Sequence, residues 1–199
     1  QSLAPAVLDE IHRAHLDHQV VVFRDQNLTP DAHKAFSRNF GSSHINDFFP
    51  TVEGHPDIQL VAKNPEDTRN VGDVWHTDVS YVAKPPLGSM LYALELPASG
   101  GDTMFASMYA SYDALSDGMK RLLAPMKVMH SGHTYGTRRA SDGSKGRMRG
   151  GQVSTGHAEA DVERAHPLVR LHHPSRRKAL FCSPTYTTRL EGMTAEESQ

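Results

Sequence analysis

His76 and Asp78 stand two residues apart in the stretch VGDVWHTDVS, beside Trp75, the single tryptophan. One imidazole and one carboxylate are two of the three protein ligands of a 2-His-1-carboxylate facial triad, the set that binds non-haem Fe(II) and leaves three positions open. A 2-oxo acid can chelate through two of those positions, leaving one for O2. The pattern His-x-Asp carries little information alone. With 13 histidines in 199 residues, about one such pair arises by chance; the chain holds His15/Asp17, His55/Asp57 and His76/Asp78.

Local setting separates the three pairs. His15 and Asp17 fall in a helical stretch, where residues i and i+2 point to different sides. His55-Pro56-Asp57 reads as part of a Gly-Pro turn, a poor platform for two rigid ligands. His76 and Asp78 lie on a segment of β character from 75 to 82, where i and i+2 project from one face. Trp75, Val79 and Tyr81 then take the opposite parity and are available for packing. A plain His–Asp hydrogen bond at a strand surface fits the same residues, so both readings stand at this level.

Those side chains need a scaffold, and 199 residues suffice for one sizeable domain, 1–199. A formal net charge of -2 gives no global pull towards nucleic acid or anionic lipid. Cys182 is the single cysteine, so no intrachain disulfide can form, and a reducing, cytoplasmic setting is the simpler expectation. No apolar run reaches the ~18 residues of a membrane helix, and no signal peptide opens the chain. Thr194-Ala-Glu-Glu197 reads as a capping box with only Ser198 and Gln199 behind it. Together with the absence of an initiator methionine, that creates the expectation of a natural protein that continues.

Helical spacing of Leu3, Val7, Ile11 and Ala14 predicts an amphipathic helix over 3–17. Val20–Phe23 reads as a short buried strand. Thr29-Pro30-Asp31 opens a second helix that Gly41 stops. Residues 42–57 read as a loop, 58–61 as a strand and 62–73 as a charged loop. Further strands are expected at 75–82, 88–96, 104–105 and 127–130. A helix in two pieces spans 107–123, with Ser116 as its second cap. Residues 136–165 lack periodicity and read as a mobile loop. Leu168–His172 and Ala179–Cys182 form a hairpin around Pro174–Lys178. The whole predicts a mainly-β core with helices packed outside.

The sequence resembles the taurine dioxygenase family, the group that includes dichlorophenoxyacetate and alkylsulfatase dioxygenases. The matching pieces run in family order: VVFRDQNLTPDAHKAFSRNFG, WHTDVSYVAKPP, ELPASGGDTMFASMYASYDALS, HPLVRLHHPSRRKALF and YTTRLEGMTAEES. The resemblance implies a double-stranded β-helix, or jelly roll, incomplete at the C-terminus. It implies Fe(II), 2-oxoglutarate as co-substrate and O2, with His76 and Asp78 as iron ligands. Thr103, in GGDT, would hydrogen-bond a 2-oxoglutarate carboxylate; by the residues alone it is a turn threonine bonding its own backbone. His44, Asn46, Phe49 and Tyr186 fall at substrate-side positions.

Several departures bear on the substrate. Asn46 and Phe49 replace the histidine and tyrosine of sulfonate-binding members, and Gly72 replaces an asparagine often found before the tryptophan motif. The family's distal iron histidine and its 2-oxoglutarate-pairing arginine lie downstream of the last matching segment. Neither His130 nor His133, His166, His172 or His173 substitutes well by position. The implied activity is hydroxylation of a small anionic organic substrate (a sulfonate, sulfate ester or aryloxyalkanoate) with release of succinate and CO2. The alternative is an inactive or non-catalytic binding domain of the same fold. A zinc hydrolase lacks an evident base or nucleophile here. Nucleic-acid binding through the basic stretch Arg138–Arg149 lacks interleaved aromatics. No membrane partner is expected, and homo-oligomerisation is left open.

Overall fold

The computed structural model describes residues 3–45, 50–63, 72, 74–132 and 162–199. Within them lie seven short strands and four helices. Helix α1 (Pro5–His18) begins with proline in its first turn and ends at Gln19, whose backbone is left-handed (φ 67°) and whose N–H reaches the His15 carbonyl. Helix α2 (Pro30–Ser37) is capped by Thr29, which accepts from the Ala32 N–H at 3.2 Å. Both match the helices read from the sequence.

Strands β1 (Thr51–Val52) and β2 (His55–Gln59) pair antiparallel. The expected loop over 42–57 is therefore partly a hairpin. Helix α3 (Met108–Asp113) is capped by Ser107 and α4 (Asp117–Leu123) by Ser116, so the helix in two pieces and its second cap hold. Next comes β3 (Lys127–His130), which occupies the middle of a three-stranded antiparallel sheet, between β4 (Arg164–Pro167) and β7 (Thr187–Leu190). Alternation along β3 turns Val128 and His130 inward, and both are almost fully buried. In the ladder, Val128 faces His166 of β4 and Leu190 of β7. The hairpin of β5 (Val169–His172) and β6 (Arg177–Leu180) forms as expected. β7 went unread because Thr187-Thr-Arg-Leu190 has no apolar alternation; the three-strand ladder, not local pattern, makes it a strand.

Three expected strands are absent from the ladders of the described residues. Residues 20–23 are irregular, and Val22 is 71 % exposed where a buried strand was expected. The same holds for 88–96, where Leu91 is 77 % exposed, and for Met104-Phe105. A β-branched run is stable as a strand only beside a partner, and none of the described segments supplies one. Tyr92 still ties the 88–96 stretch to the segment that leads into α2. Its hydroxyl accepts from the Leu28 N–H at 3.2 Å and lies 3.3 Å from the Gln26 carbonyl.

The fourth correction concerns the metal pair itself. Residues 75–77 are irregular and 78–81 form turns, so no strand runs over 75–82. Val79, Tyr81 and Val82 pack with Tyr186 into a buried cluster, but Ser80 between them is buried too, so the burial does not follow strand parity. Trp75 does not join them and is 51 % exposed. Of the loops expected at 136–165 and 62–73, residues 136–161 and most of 62–73 lie outside the described residues, as do Asn46, Phe49, His133 and the basic stretch 138–149. Arg164 and Ala165, expected in the first loop, instead begin β4, which the β3 ladder makes a strand.

Candidate metal centre

His76 and Asp78 converge without a strand. The turn after Asp78 brings its Oδ1 to 3.0 Å from His76 Nε2. Val79, next in line, has φ 51°, a left-handed conformation that a β-branched residue rarely adopts. Its burial with Tyr81, Val82 and Tyr186 holds it there. Upstream, Gly72 has φ 76°, and a Cβ at that position would lie 3.2 Å from Cε1 of His76. The ring therefore rests against bare backbone.

The hydrogen bonds fix which atom faces the carboxylate. Nδ1 of His76 is 2.7 Å from the Val74 carbonyl, which can only accept, so Nδ1 carries a proton. Nε2 is then the nitrogen presented to Asp78. Ser89 donates its hydroxyl to the other oxygen of that carboxylate, Oδ2. The hydrogen bond to Asp78 is the main influence raising the His76 pKa, against partial burial. The bond from His76, followed by burial acting the other way and the bond from Ser89, holds the Asp78 carboxyl below its usual value. A cation can take the place of a proton shared between the two side chains. A backbone carbonyl behind Nδ1 is the support that metal-ligating histidines use to fix their tautomer. Both side chains are partly exposed, which leaves room for further ligands. This donor set fits a hard or borderline divalent metal such as Fe(II).

The rival His-x-Asp pairs are engaged elsewhere. His15 and Asp17 are on α1. His55 and Asp57 lie on β2 rather than in a turn, so strand parity does favour them, contrary to the sequence argument. They face α2, with Lys34 Nζ 3.5 Å from Asp57 and His55 Nδ1 3.8 Å from Asp31. His130 is no ligand either: its Nδ1 meets Ser80 Oγ at 2.9 Å and its Nε2 the Phe181 carbonyl at 3.2 Å. Among the described residues no three His, Cys, Asp or Glu side chains gather as a metal site.

Of the other candidates, Tyr186 is buried with its ring edge-on to His76, centroids 6.4 Å apart. Thr185, its neighbour, donates its hydroxyl to the Trp75 carbonyl at 3.1 Å. Thr103 lies exposed in the extended stretch after Gly100 and Gly101, and His44 is exposed in the loop after Gly41. Sequence reasoning missed Ser80 and Ser89. Ser80 shares the parity of His76 and Asp78 and was within reach of that argument; Ser89, eleven residues from Asp78, left no local signal.

An imidazole and a carboxylate held close together, backed by a carbonyl and a serine, are two of the three protein ligands that a mononuclear non-haem metal site needs. The chain belongs to the taurine catabolism dioxygenase TauD, TfdA family, whose model matches residues 1–199. It is 28 % identical to an alpha-ketoglutarate-dependent sulfonate dioxygenase of Saccharomyces cerevisiae, over 99 % of this chain and 48 % of that protein. It is 30 % identical to an alpha-ketoglutarate-dependent 2,4-dichlorophenoxyacetate dioxygenase of Burkholderia sp. (strain RASC), over 100 % of this chain and 69 % of that protein. The crystal structure of a taurine dioxygenase from Burkholderia xenovorans superposes with a TM-score of 0.75 at 27 % identity, covering 100 % of this chain and 61 % of that one. The chain thus spans about half the length of the yeast relative. Membership implies Fe(II), 2-oxoglutarate and O2. No described helix is long and apolar enough to cross a membrane.

Proposed function

We propose that the protein is an Fe(II)- and 2-oxoglutarate-dependent dioxygenase of jelly-roll fold. Its substrate is a small anionic organic molecule of the sulfonate, sulfate ester or aryloxyalkanoate type. The observation that carries this reading is the 3.0 Å approach of His76 Nε2 to Asp78 Oδ1, with Nδ1 tied to the Val74 carbonyl, in a chain of this family.

Fe(II), with 2-oxoglutarate and O2, supplies the oxidising chemistry that hydroxylates a C–H bond as succinate and CO2 are released. The chain's own residues do the rest. His76 and Asp78 supply two protein ligands, and Ser89 keeps one carboxylate oxygen engaged so that the other points at His76. A third, distal histidine completes the triad from outside the described residues, together with an arginine for the far carboxylate of 2-oxoglutarate. Thr103 donates its hydroxyl to a carboxylate of the same co-substrate. His44 and Tyr186 are assigned to the substrate side, as Asn46 and Phe49 are by the family resemblance alone. Tyr186 and the buried Val79–Tyr81 cluster back the site with an apolar wall that keeps water from behind the ligands.

The test is succinate formation from 2-oxoglutarate by the full-length protein with Fe(II), ascorbate and O2, against a panel of the three substrate types. Turnover with at least one type is expected, abolished by His76→Ala or Asp78→Ala. No succinate with any of them would refute the dioxygenase reading and favour a non-catalytic binding domain.

A further inference from the structure

Two histidines outside the metal pair hold the segment that follows it. His130, at the end of β3, is 1 % exposed, and its partner Ser80 is 0 % exposed. His166, on β4, places Nε2 3.1 Å from the Val82 carbonyl. The two imidazoles meet edge to face at 5.3 Å, and the Phe181 ring stacks on His130 at 5.1 Å. Ser80 and Val82 are thus gripped from two neighbouring strands of one sheet, two and four residues beyond Asp78.

The protonation states follow from the partners. The Phe181 carbonyl can only accept, so Nε2 of His130 carries its proton. Burial holds the ring neutral, its pKa lowered to about 4. Nδ1 is then a bare acceptor, and the Ser80 hydroxyl donates to it.

That grip is needed because the turn does not hold itself. Val79 at φ 51° costs about 1–3 kcal/mol relative to a relaxed backbone. The backbone bond across the turn, Val82 N–H to the Val79 carbonyl, is long at 3.3 Å. A net hydrogen bond contributes about 0.5–1.5 kcal/mol, which covers only the lower part of that cost. The buried Ser80–His130 bond, the Val82–His166 bond and the Val79–Tyr186 cluster make up the difference. Asp78 is partly exposed; Ser89 holds one of its oxygens, and the backbone that Ser80 anchors sets where its side chain starts.

We propose that His130 is a positioning residue for the metal ligand Asp78, acting through the Ser80 hydroxyl. The proposal rests on the metal role of His76 and Asp78 set out above. It also explains a buried Ser–His bond that neither packing nor ligation calls for.

The test is Co(II) binding to the full-length protein by calorimetry, with thermal stability measured alongside. Asn places its side-chain oxygen near Nδ1 and keeps the Ser80 bond; Gln reaches Nε2's position and loses it. Ser80→Ala and His130→Gln are expected to weaken Co(II) binding about tenfold, the lower end of the effect of removing a ligand's outer support. His130→Asn is expected to stay within about twofold of the parent, although both His130 variants lose the stacked imidazole and melt lower. Equal Co(II) affinities for the Asn and Gln variants, or an unchanged affinity in Ser80→Ala, would overturn the proposal. Co(II) binding by the parent that is indifferent to His76→Ala and Asp78→Ala, or no binding at all, removes the metal reading and this inference with it.

Discussion

Gly72 gives the sharpest single test of the metal geometry. Alanine there would carry a Cβ 3.2 Å from Cε1 and 3.9 Å from Nε2 of His76. Carbon atoms rest at about 3.5–4.0 Å, so the ring must retreat by about 0.5 Å. Retreat stretches the 2.7 Å bond from Nδ1 to the Val74 carbonyl and moves Nε2 off its approach to Asp78. Metal–ligand distances tolerate only about 0.2 Å, so a displacement of that size loosens the metal–nitrogen bond. We expect a loss of about 1.4 kcal/mol, or tenfold in Co(II) affinity.

The confounding cost is the backbone, since alanine at φ 76° is strained by about 1 kcal/mol whatever lies nearby. Gly54 supplies the control: its φ is 75°, and a Cβ there meets nothing within 4 Å. Gly72→Ala and Gly54→Ala should both lower the melting temperature by about 3 °C, as a loss of 1 kcal/mol does in a domain of this size. Only Gly72→Ala should weaken Co(II) binding in calorimetric titration. Equal metal affinities for the two variants would refute the argument that His76 is seated against Gly72.

Other outcomes follow from the same geometry. His130, with its pKa lowered to about 4, takes up a proton more readily in the unfolded chain. Its penalty is absent above about pH 6.5, grows as pH falls and is complete near its folded pKa, reaching about 3 kcal/mol. His166, also shifted down by burial and facing Arg164 and Arg170, adds in the same direction. Urea unfolding between pH 7.5 and 5 should therefore show stability falling with pH, with a shallower slope in His130→Asn; an identical slope would contradict the assignment. Tyr109→Phe deletes a hydroxyl bonded to His172 and Ser175, so it should cost about 1 kcal/mol in stability and leave Co(II) affinity unchanged. In the full-length protein, Thr103→Val should raise the KM for 2-oxoglutarate several-fold with metal affinity intact, whereas an unchanged KM would remove Thr103 from the co-substrate site.

Elements whose stability is local were legible in the sequence. Pro30 behind Thr29 and the serine at 116 announced α2 and α4, because a capping hydroxyl reaches an amide only three residues away. The hairpin β5–β6 was announced by the turn between its strands. Elements that depend on distant partners were not. Val20–Phe23 has strand composition, but composition does not supply the neighbouring strand that would bury it. Thr187–Leu190 has weak composition and becomes β7 because β3 is beside it.

The metal pair shows both sides of that division. Strand parity singled out His76 and Asp78, yet the segment is a turn, and parity would equally have supported His55 and Asp57 on β2. What separates the two pairs in space is occupancy. Asp57 faces Lys34, an ammonium that already satisfies it, while Asp78 faces an imidazole and a serine. A carboxylate beside a lysine gains little from a metal, because binding must first displace a charge already held by the fold. A carboxylate whose nearest partner is a titratable ring exchanges one proton for a divalent ion. Spacing alone cannot encode that difference, since Lys34 lies on another element and Ser80, Ser89 and His130 reach the loop only through the folded sheet.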